Sequence, residues 1–212
     1  MPQRRSQQQR ERQRTGAVDA PARVRTSLAE SARIKQSLAE SCAGAIARAA
    51  ELVTDAFARD ARVLVFGNGG SASDAQHFAA ELAGRFDGER PALPALALTA
   101  NSSELTAIGN DYGFEHVFAR LIQAHGRAGD VAVAISTSGN SANVNAAVDE
   151  ARARGLRTIG LVGKGGGVLA TLVDTAVVVP SDSTARIQES HIAIAHVICE
   201  LVEASLFPAD GA

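Results

Sequence analysis

Apolar residues set two rhythms along this chain of 212 residues. Between about 24 and 59, Leu28, Ala32, Ile34, Leu38, Ala45, Ile46, Ala49, Leu52 and Val53 recur at three- and four-residue intervals, the spacing of one α-helical face. Gly44 could divide this stretch, and Ser27 or Ser37 could cap a helix start. Beyond residue 60, short apolar runs take over. They predict strands at 63–66, 95–98, 131–135, 158–162 and 176–179, with helices at 73–85, 114–123, 143–154, 168–172 and 184–206.

Apolar strands alternating with helices imply a parallel sheet covered on both faces, with right-handed crossovers. The expected architecture is a flavodoxin-like three-layer α/β/α domain of five parallel strands, ordered 2-1-3-4-5, behind an N-terminal helical segment. In such sheets ligands gather beyond the carboxyl ends of the strands, near the switch point of strand order. The loops after Phe66, Leu98 and Ile135 are therefore where chemistry is expected.

Composition narrows the class. With 46% hydrophobic and 21% charged residues the chain suits one ordinary soluble core, and a net charge of −2 gives no reason to expect nucleic acid as a ligand. No apolar run approaches a membrane span and no signal-peptide pattern is present, so no membrane partner and a cytoplasmic location are expected. Cys42 and Cys199, without a CxxC spacing, read as buried reduced thiols. Five Arg and five Gln crowd residues 1–15, a composition that cannot offset its ordering entropy. The expected organisation is a disordered basic tail over 1–20, a helical segment over 21–60 that could supply an oligomer contact, and the α/β domain over 61–212.

The first loop, Gly67-Asn68-Gly69-Gly70-Ser71-Ala72, formally matches the dinucleotide fingerprint. That fingerprint needs an acidic residue after the second strand, and Leu98-Thr99-Ala100-Asn101 offers none before Glu104, which argues against a nicotinamide cofactor. The helix that follows the loop carries His77 and Glu81 four residues apart on one face. Such a pair can bind a metal, move a proton, or both.

The third strand ends in Ser136-Thr137-Ser138-Gly139-Asn140-Ser141 ahead of another helix. Four hydroxyls and a glycine at a helix N-terminus suit a phosphoryl group, and the lack of a Walker-type lysine argues against a nucleoside triphosphate. The plainer alternative is that Ser141 caps the helix and the other hydroxyls decorate a loop. Gly109-Asn110-Asp111-Tyr112-Gly113 reads as a glycine-bounded turn whose Asn and Asp either bond to their own backbone or point at a sugar. On the last helix, Gln188, His191 and His196 need partners if buried. With His77 and Glu81 they could complete a nitrogen–oxygen metal site. Gln188 and His196 are eight residues apart, roughly 12 Å of helical rise, so spacing alone does not choose His196 over His191.

Four strings in order, FGNGGSASDAQHFAAEL, TAIGNDYGFEHVFARL, GDVAVAISTSGNSANV and ARIQESHIAIAHVICELVE, resemble the phosphoheptose isomerases of the sugar isomerase (SIS) domain family over about residues 30–206. The resemblance implies conversion of sedoheptulose 7-phosphate to D-glycero-D-manno-heptose 7-phosphate, one zinc ion per subunit, and a homotetramer with sites at subunit contacts. It places zinc ligands on His77, Glu81, Gln188 and His196, and the acid–base pair on Glu81 and His196. Sugar-phosphate contacts fall on Asn68, Gly69, Gly70, Glu81, Asn110, Asp111, Ser136, Thr137, Ser138, Ser141 and Gln188. Two features depart from the family pattern: Ala185, where some members carry an acidic residue, and the Arg/Gln-rich start.

Three functions compete at this point. The first is the zinc-assisted aldose–ketose isomerase, proceeding through an enediol. The second is a non-catalytic SIS module that binds a replication-initiator protein or senses a sugar phosphate. The relative that suggests it lacks residues matching Glu81 and His196, which this chain has. The third, a metal-independent amino-sugar phosphate isomerase, has no need of His77, Glu81, Gln188 and His196 together.

Overall fold

The computed structural model describes residues 18–208, so the expected disordered tail lies, up to residue 17, outside the described residues. The chain opens with helix α1 (Ala20–Phe57), followed by strand β1 (Val63–Gly67), helix α2 (Gly70–Ala83), strand β2 (Ala95–Ala97) and helix α3 (Ser102–Tyr112). A 3-10 turn (Phe114–His116) leads into α4 (Val117–His125), β3 (Val131–Ser136), α5 (Ala142–Ala153) and β4 (Arg157–Val162). A second 3-10 turn (Lys164–Gly166) precedes α6 (Leu169–Leu172), β5 (Thr175–Val178) and α7 (Thr184–Leu206). Among the described residues, those up to Arg33 belong to one compact unit and those from Ile34 onward to another.

Gly44 does not divide α1, which runs unbroken for 38 residues. An exposed glycine forfeits only about 1 kcal/mol of helix propensity, and Ile34, Leu38, Cys42, Ile46, Ala49 and Val53 of the same helix are buried. Neither Ser27 nor Ser37 starts the helix; Asp19 does, its Oδ1 accepting the Ala22 N–H at 3.1 Å.

All five strands are parallel, in the order β2-β1-β3-β4-β5. The direction of winding reverses between β1 and β3, which makes the carboxyl ends of those two strands the switch point. Successive strand residues face opposite sides, as a period of two requires. Val63, Val65, Val131, Val133, Ile135, Ile159, Leu161 and Val177 pack with α1, α2 and α7 from Ile34 onward. Leu64, Phe66, Ala132, Ala134 and Val162 pack with α4, α5 and α6. The three-layer α/β/α arrangement follows directly from these two apolar faces.

The main difference from the sequence reading is α3. Its fully buried residues number none, so it offers no strong apolar stripe, and only Leu105 and Ile108 lean on the core. It starts instead on a local signal: Asn101 Oδ1 accepts the N–H groups of Ser103 (3.1 Å) and Glu104 (3.3 Å). The expected turn at 109–113 is thus the last turn of a helix, with only Gly113, at φ 93°, leaving it. Likewise α2 begins at Gly70 rather than Ser73, three residues nearer the loop.

Candidate functional site

At the end of β1 the backbone approaches β3 closely. Gly67 pairs with Ile135, and a Cβ on Gly67 would lie 2.6 Å from the Ile135 carbonyl oxygen. Asn68 follows at once and exchanges two hydrogen bonds with Asn143 on α5, at 2.8 and 2.9 Å. Gly70, the first residue of α2, carries the Gln188 side chain directly against its Cα; any Cβ there would collide with the Gln188 carboxamide.

The hydroxyl loop forms a compact turn beside this. Ser136 Oγ lies 3.1 Å from Ser141 Oγ and accepts the Gly139 N–H at 3.1 Å. Ser138 Oγ accepts the Asn140 N–H at 3.2 Å. Ser141 occupies the N-cap position of α5 without capping it, because its hydroxyl turns back to Ser136. The first N–H groups of α5 therefore have no side-chain acceptor, the condition for holding an anion. Among the described residues the Thr137 hydroxyl makes no hydrogen bond either. The loop is braced from behind: the Gly139 carbonyl accepts the Leu169 N–H at 2.9 Å and Asn140 Oδ1 accepts the Val168 N–H at 3.1 Å.

Further along α2, His77 Nε2 lies 2.9 Å from Glu81 Oε1 and 3.4 Å from His196 Nε2 on α7. One ligand atom from each of the three falls within 4.8 Å of the other two. The donor set is two imidazoles and a carboxylate, the usual company of zinc. Two ligands at roughly 2.0–2.1 Å on a tetrahedral ion stand about 3.4 Å apart, which matches the His77–His196 separation. The residues fit the metal. The Phe86 ring rests on His196 at a centroid distance of 5.5 Å.

The two histidines on α7 lie in different surroundings. His196 joins His77 and Glu81. His191, wholly buried, faces the core, where neither ring nitrogen makes a hydrogen bond of standard geometry. Burial pushes its pKa down to about 4, only partly opposed by the Val162 backbone, so it is neutral near pH 7. Gln188 also meets α2, but at Gly70, seven residues before His77 and about 10 Å of helical rise away. The eight-residue spacing from Gln188 to His196 on α7 runs alongside a seven-residue spacing from Gly70 to His77 on α2, and within one chain Gln188 stands apart from the three-residue cluster. Asn110 and Asp111 are exposed on the last turn of α3, where Asn110 Nδ2 donates to Asp111 Oδ1 at 2.8 Å. Among the described residues no hydrogen bond links them to the rest of the predicted site.

Sequence reasoning missed four residues. Asn143 sits on the buried stripe of α5 with Val144, Ala147, Val148 and Ala151, and a polar residue in that stripe was a readable signal. Asp74, between Gly70 and His77 on α2, has Oδ2 buried without a partner; burial raises its carboxyl and His77 pulls it back. Arg90 and Glu203 form an ion pair at 2.6 Å beneath the cluster, joined across 113 residues, which no local pattern announces.

Comparison with known proteins places the chain in a family. Residues 28–163 match the SIS domain family. A phosphoheptose isomerase from Geobacter sulfurreducens is 56% identical over 176 residues, covering 83% of this chain and 93% of its own length. The structure of a phosphoheptose isomerase from Neisseria gonorrhoeae superposes with a TM-score of 0.82 at 48% identity, covering 87% of this chain and 98% of that one. One from Francisella tularensis gives 0.84 at 38% identity over the same shares. With a family match over most of the chain and relatives of this closeness over nearly their whole length, the chain belongs to the SIS domain family, in the group of the phosphoheptose isomerases.

Proposed function

We propose that this enzyme converts sedoheptulose 7-phosphate to D-glycero-D-manno-heptose 7-phosphate with the help of zinc. What supports the reading most is the meeting of His77, Glu81 and His196, three groups from two helices, on the same α/β scaffold as an uncapped, hydroxyl-rich helix start. The relatives' shared name supplies the substrate class.

In this reading Ser136, Thr137, Ser138 and Ser141, with the first N–H groups of α5, hold the phosphate. Anchoring that end fixes the carbonyl end, and such orientation supplies much of the rate gain. Asn68, Gly69, Gly70 and Gln188 line the approach, with Asn110 and Asp111 contributing sugar contacts. Glu81 takes a proton from C1 of the ketose while His196 gives one to the C2 oxygen, producing the enediol. Return of a proton to C2 and loss of one from the C1 hydroxyl leave the aldose. Glu81 holds His77 through Oε1, and among the described residues Oε2 makes no hydrogen bond and is available for the transfer. Zinc held by His77, Glu81 and His196 would supply polarisation of the substrate carbonyl.

The same reading includes a homotetramer in the cytoplasm. An apolar groove of about 410 Å³ between α1 and α7, lined by Leu38, Ile46, Ala193, Val197 and Leu201, is a surface a second copy would cover. By resemblance to the phosphoheptose isomerases, Gln188 would be the fourth zinc ligand. No helix among the described residues is long and apolar enough to cross a membrane.

Incubating zinc-replete protein with sedoheptulose 7-phosphate in D2O tests the reaction. The aldose should appear in the NMR spectrum carrying deuterium at C2. No turnover by folded, zinc-loaded protein would overturn the assignment.

A further inference from the structure

The ligand cluster is divided between two helices: α2 carries His77 and Glu81, and α7 carries His196. What holds those helices at the right separation lies just beneath. The Arg90 side chain is 1% exposed and its partner Glu203 11% exposed. Arg90 Nε donates to Glu203 Oε1 at 2.6 Å, Nη2 donates to the Glu81 carbonyl at 2.8 Å, and Nη1 donates to the Leu82 carbonyl at 2.9 Å. Nη1 also reaches the carbonyls of Pro91 at 3.0 Å and Gly84 at 3.4 Å. One planar guanidinium therefore ties down the end of α2, taking the Glu81 carbonyl and sharing the Leu82 carbonyl with the Leu93 N–H.

Glu203, seven residues after His196 on α7, answers from the other side. Its carboxylate accepts the N–H groups of Phe86 at 2.8 Å and of Asp87 and Gly88 at 3.1 Å each. Phe86 in turn lays its ring on His196. The pair thus touches both halves of the cluster, Glu81 through its carbonyl and His196 through Phe86. Stability alone is a poor reason for it, because a buried ion pair of this kind is commonly no more stabilising than well-packed apolar residues of the same volume. Position is a better one. Ligand atoms must sit within a fraction of an ångström of their places, and an error of about 1 Å can reduce a rate 10²-fold.

We propose that Arg90 and Glu203 are positioning residues that fix the distance from His196 to His77 and Glu81, and thereby set zinc affinity and the rate of proton transfer. The inference rests on the metal-site reading above. Arg90→Lys keeps a positive charge beside Glu203, but one ammonium cannot serve that carboxylate and the Glu81 and Leu82 carbonyls together. Glu203→Asp keeps the charge with a shorter reach, and gives the same comparison should the lysine variant not fold.

The test uses the full chain stripped of metal, at a temperature where circular dichroism shows wild type and variants folded. Zinc titration calorimetry should show affinity falling about 10–100-fold, the usual effect of altering the support of metal ligands. Turnover should fall with it, whereas the inhibition constant of inorganic phosphate, bound at the Ser136–Ser141 loop, should not change. Unaltered zinc affinity in the folded variants would overturn the inference, as would phosphate inhibition weakened as much as zinc binding, which marks general loosening. A wild-type chain that binds no zinc would overturn the metal site and this inference together.

Discussion

Asn68 and Asn143 exchange hydrogen bonds through both carboxamides and so tie the loop after β1 to the first turn of α5. The bond spans the switch point of the sheet. It sets the glycine loop at a fixed height above the hydroxyl loop, and with it Gly70 and the Gln188 side chain resting there. Asn143 is 4% exposed, so its amide has no water to fall back on.

Asn143→Ala should therefore remove both hydrogen bonds to the half-buried Asn68, at a cost of about 0.5–1.5 kcal/mol for each. Urea unfolding measures the loss. The Michaelis constant for the sugar phosphate should rise as well, because the glycine loop is no longer fixed. Unchanged unfolding and unchanged kinetics together would show that the two loops hold their places independently.

Gly139 is where the hydroxyl loop meets the loop after β4. Its φ of +66° belongs to the left-handed region, and a Cβ there would run into the Gly166 carbonyl. Gly139→Ala should destabilise the fold, because the strain exceeds the roughly 1 kcal/mol that a strain-free glycine-to-alanine change gains from the unfolded chain, and should weaken phosphate binding. Thr137→Ala combined with Ser138→Ala should do the reverse: little change in stability, a higher Michaelis constant and lower turnover, since binding energy remote from the reacting carbons is lost. Unchanged kinetics in that double variant would move the phosphate elsewhere.

How much of this was legible beforehand follows from what each residue depends on. Val63, Leu64, Val65 and Phe66 form a wholly buried interior strand, and an unbroken apolar run says so by itself. The strand order was legible because two chemistry-bearing loops had to sit side by side. His77 and Glu81 were legible as a pair because four residues is one helical turn. His196 was not, because its choice over His191 depends on which face α7 turns to α2, a tertiary fact. Asp111 and Asn110 misled for the opposite reason. A glycine-bounded polar string looks like a turn, yet the Asn101 cap and the weak lean of Leu105 and Ile108 on the core suffice for a helix. Arg90 and Glu203 were invisible because their meaning lies wholly in the contact between them.

Acid should lower the stability of this protein over two pH windows. His191 has a pKa of about 4 in the fold against 6.5 when exposed, so below pH 6.5 the unfolded chain binds the proton more readily. Stability should fall as pH drops from about 6.5 to 4, by up to roughly 3 kcal/mol from this residue. Burial alone would raise the Glu203 carboxyl, but the N–H groups of Phe86, Asp87 and Gly88 and the Arg90 guanidinium outweigh it and hold it at about 2. That contribution is complete above the ordinary value of 4.5 and lost as pH falls from there through 2. Denaturant unfolding at a series of pH values should show the first slope flatten in His191→Gln while the second remains. A slope between pH 6.5 and 4 that survives the substitution would assign it to another group.

The sharpest prediction concerns Glu81, because it is asked both to hold His77 and to move a proton. Glu81→Gln preserves volume and can still meet His77 at the Oε1 position, so fold and assembly should be retained. The amide has no basicity at any working pH, so turnover should fall by about 10²–10⁴-fold, the contribution of a general base. His196→Gln should lower turnover and zinc affinity together, since that residue is assigned both roles. Chelation of wild type should reduce activity and added zinc should restore it. These readouts separate the roles. Near-normal turnover in Glu81→Gln would remove the carboxylate from proton transfer, leaving it as a ligand, while full activity in a sample shown to be metal-free would leave the three-residue cluster with acid–base work alone.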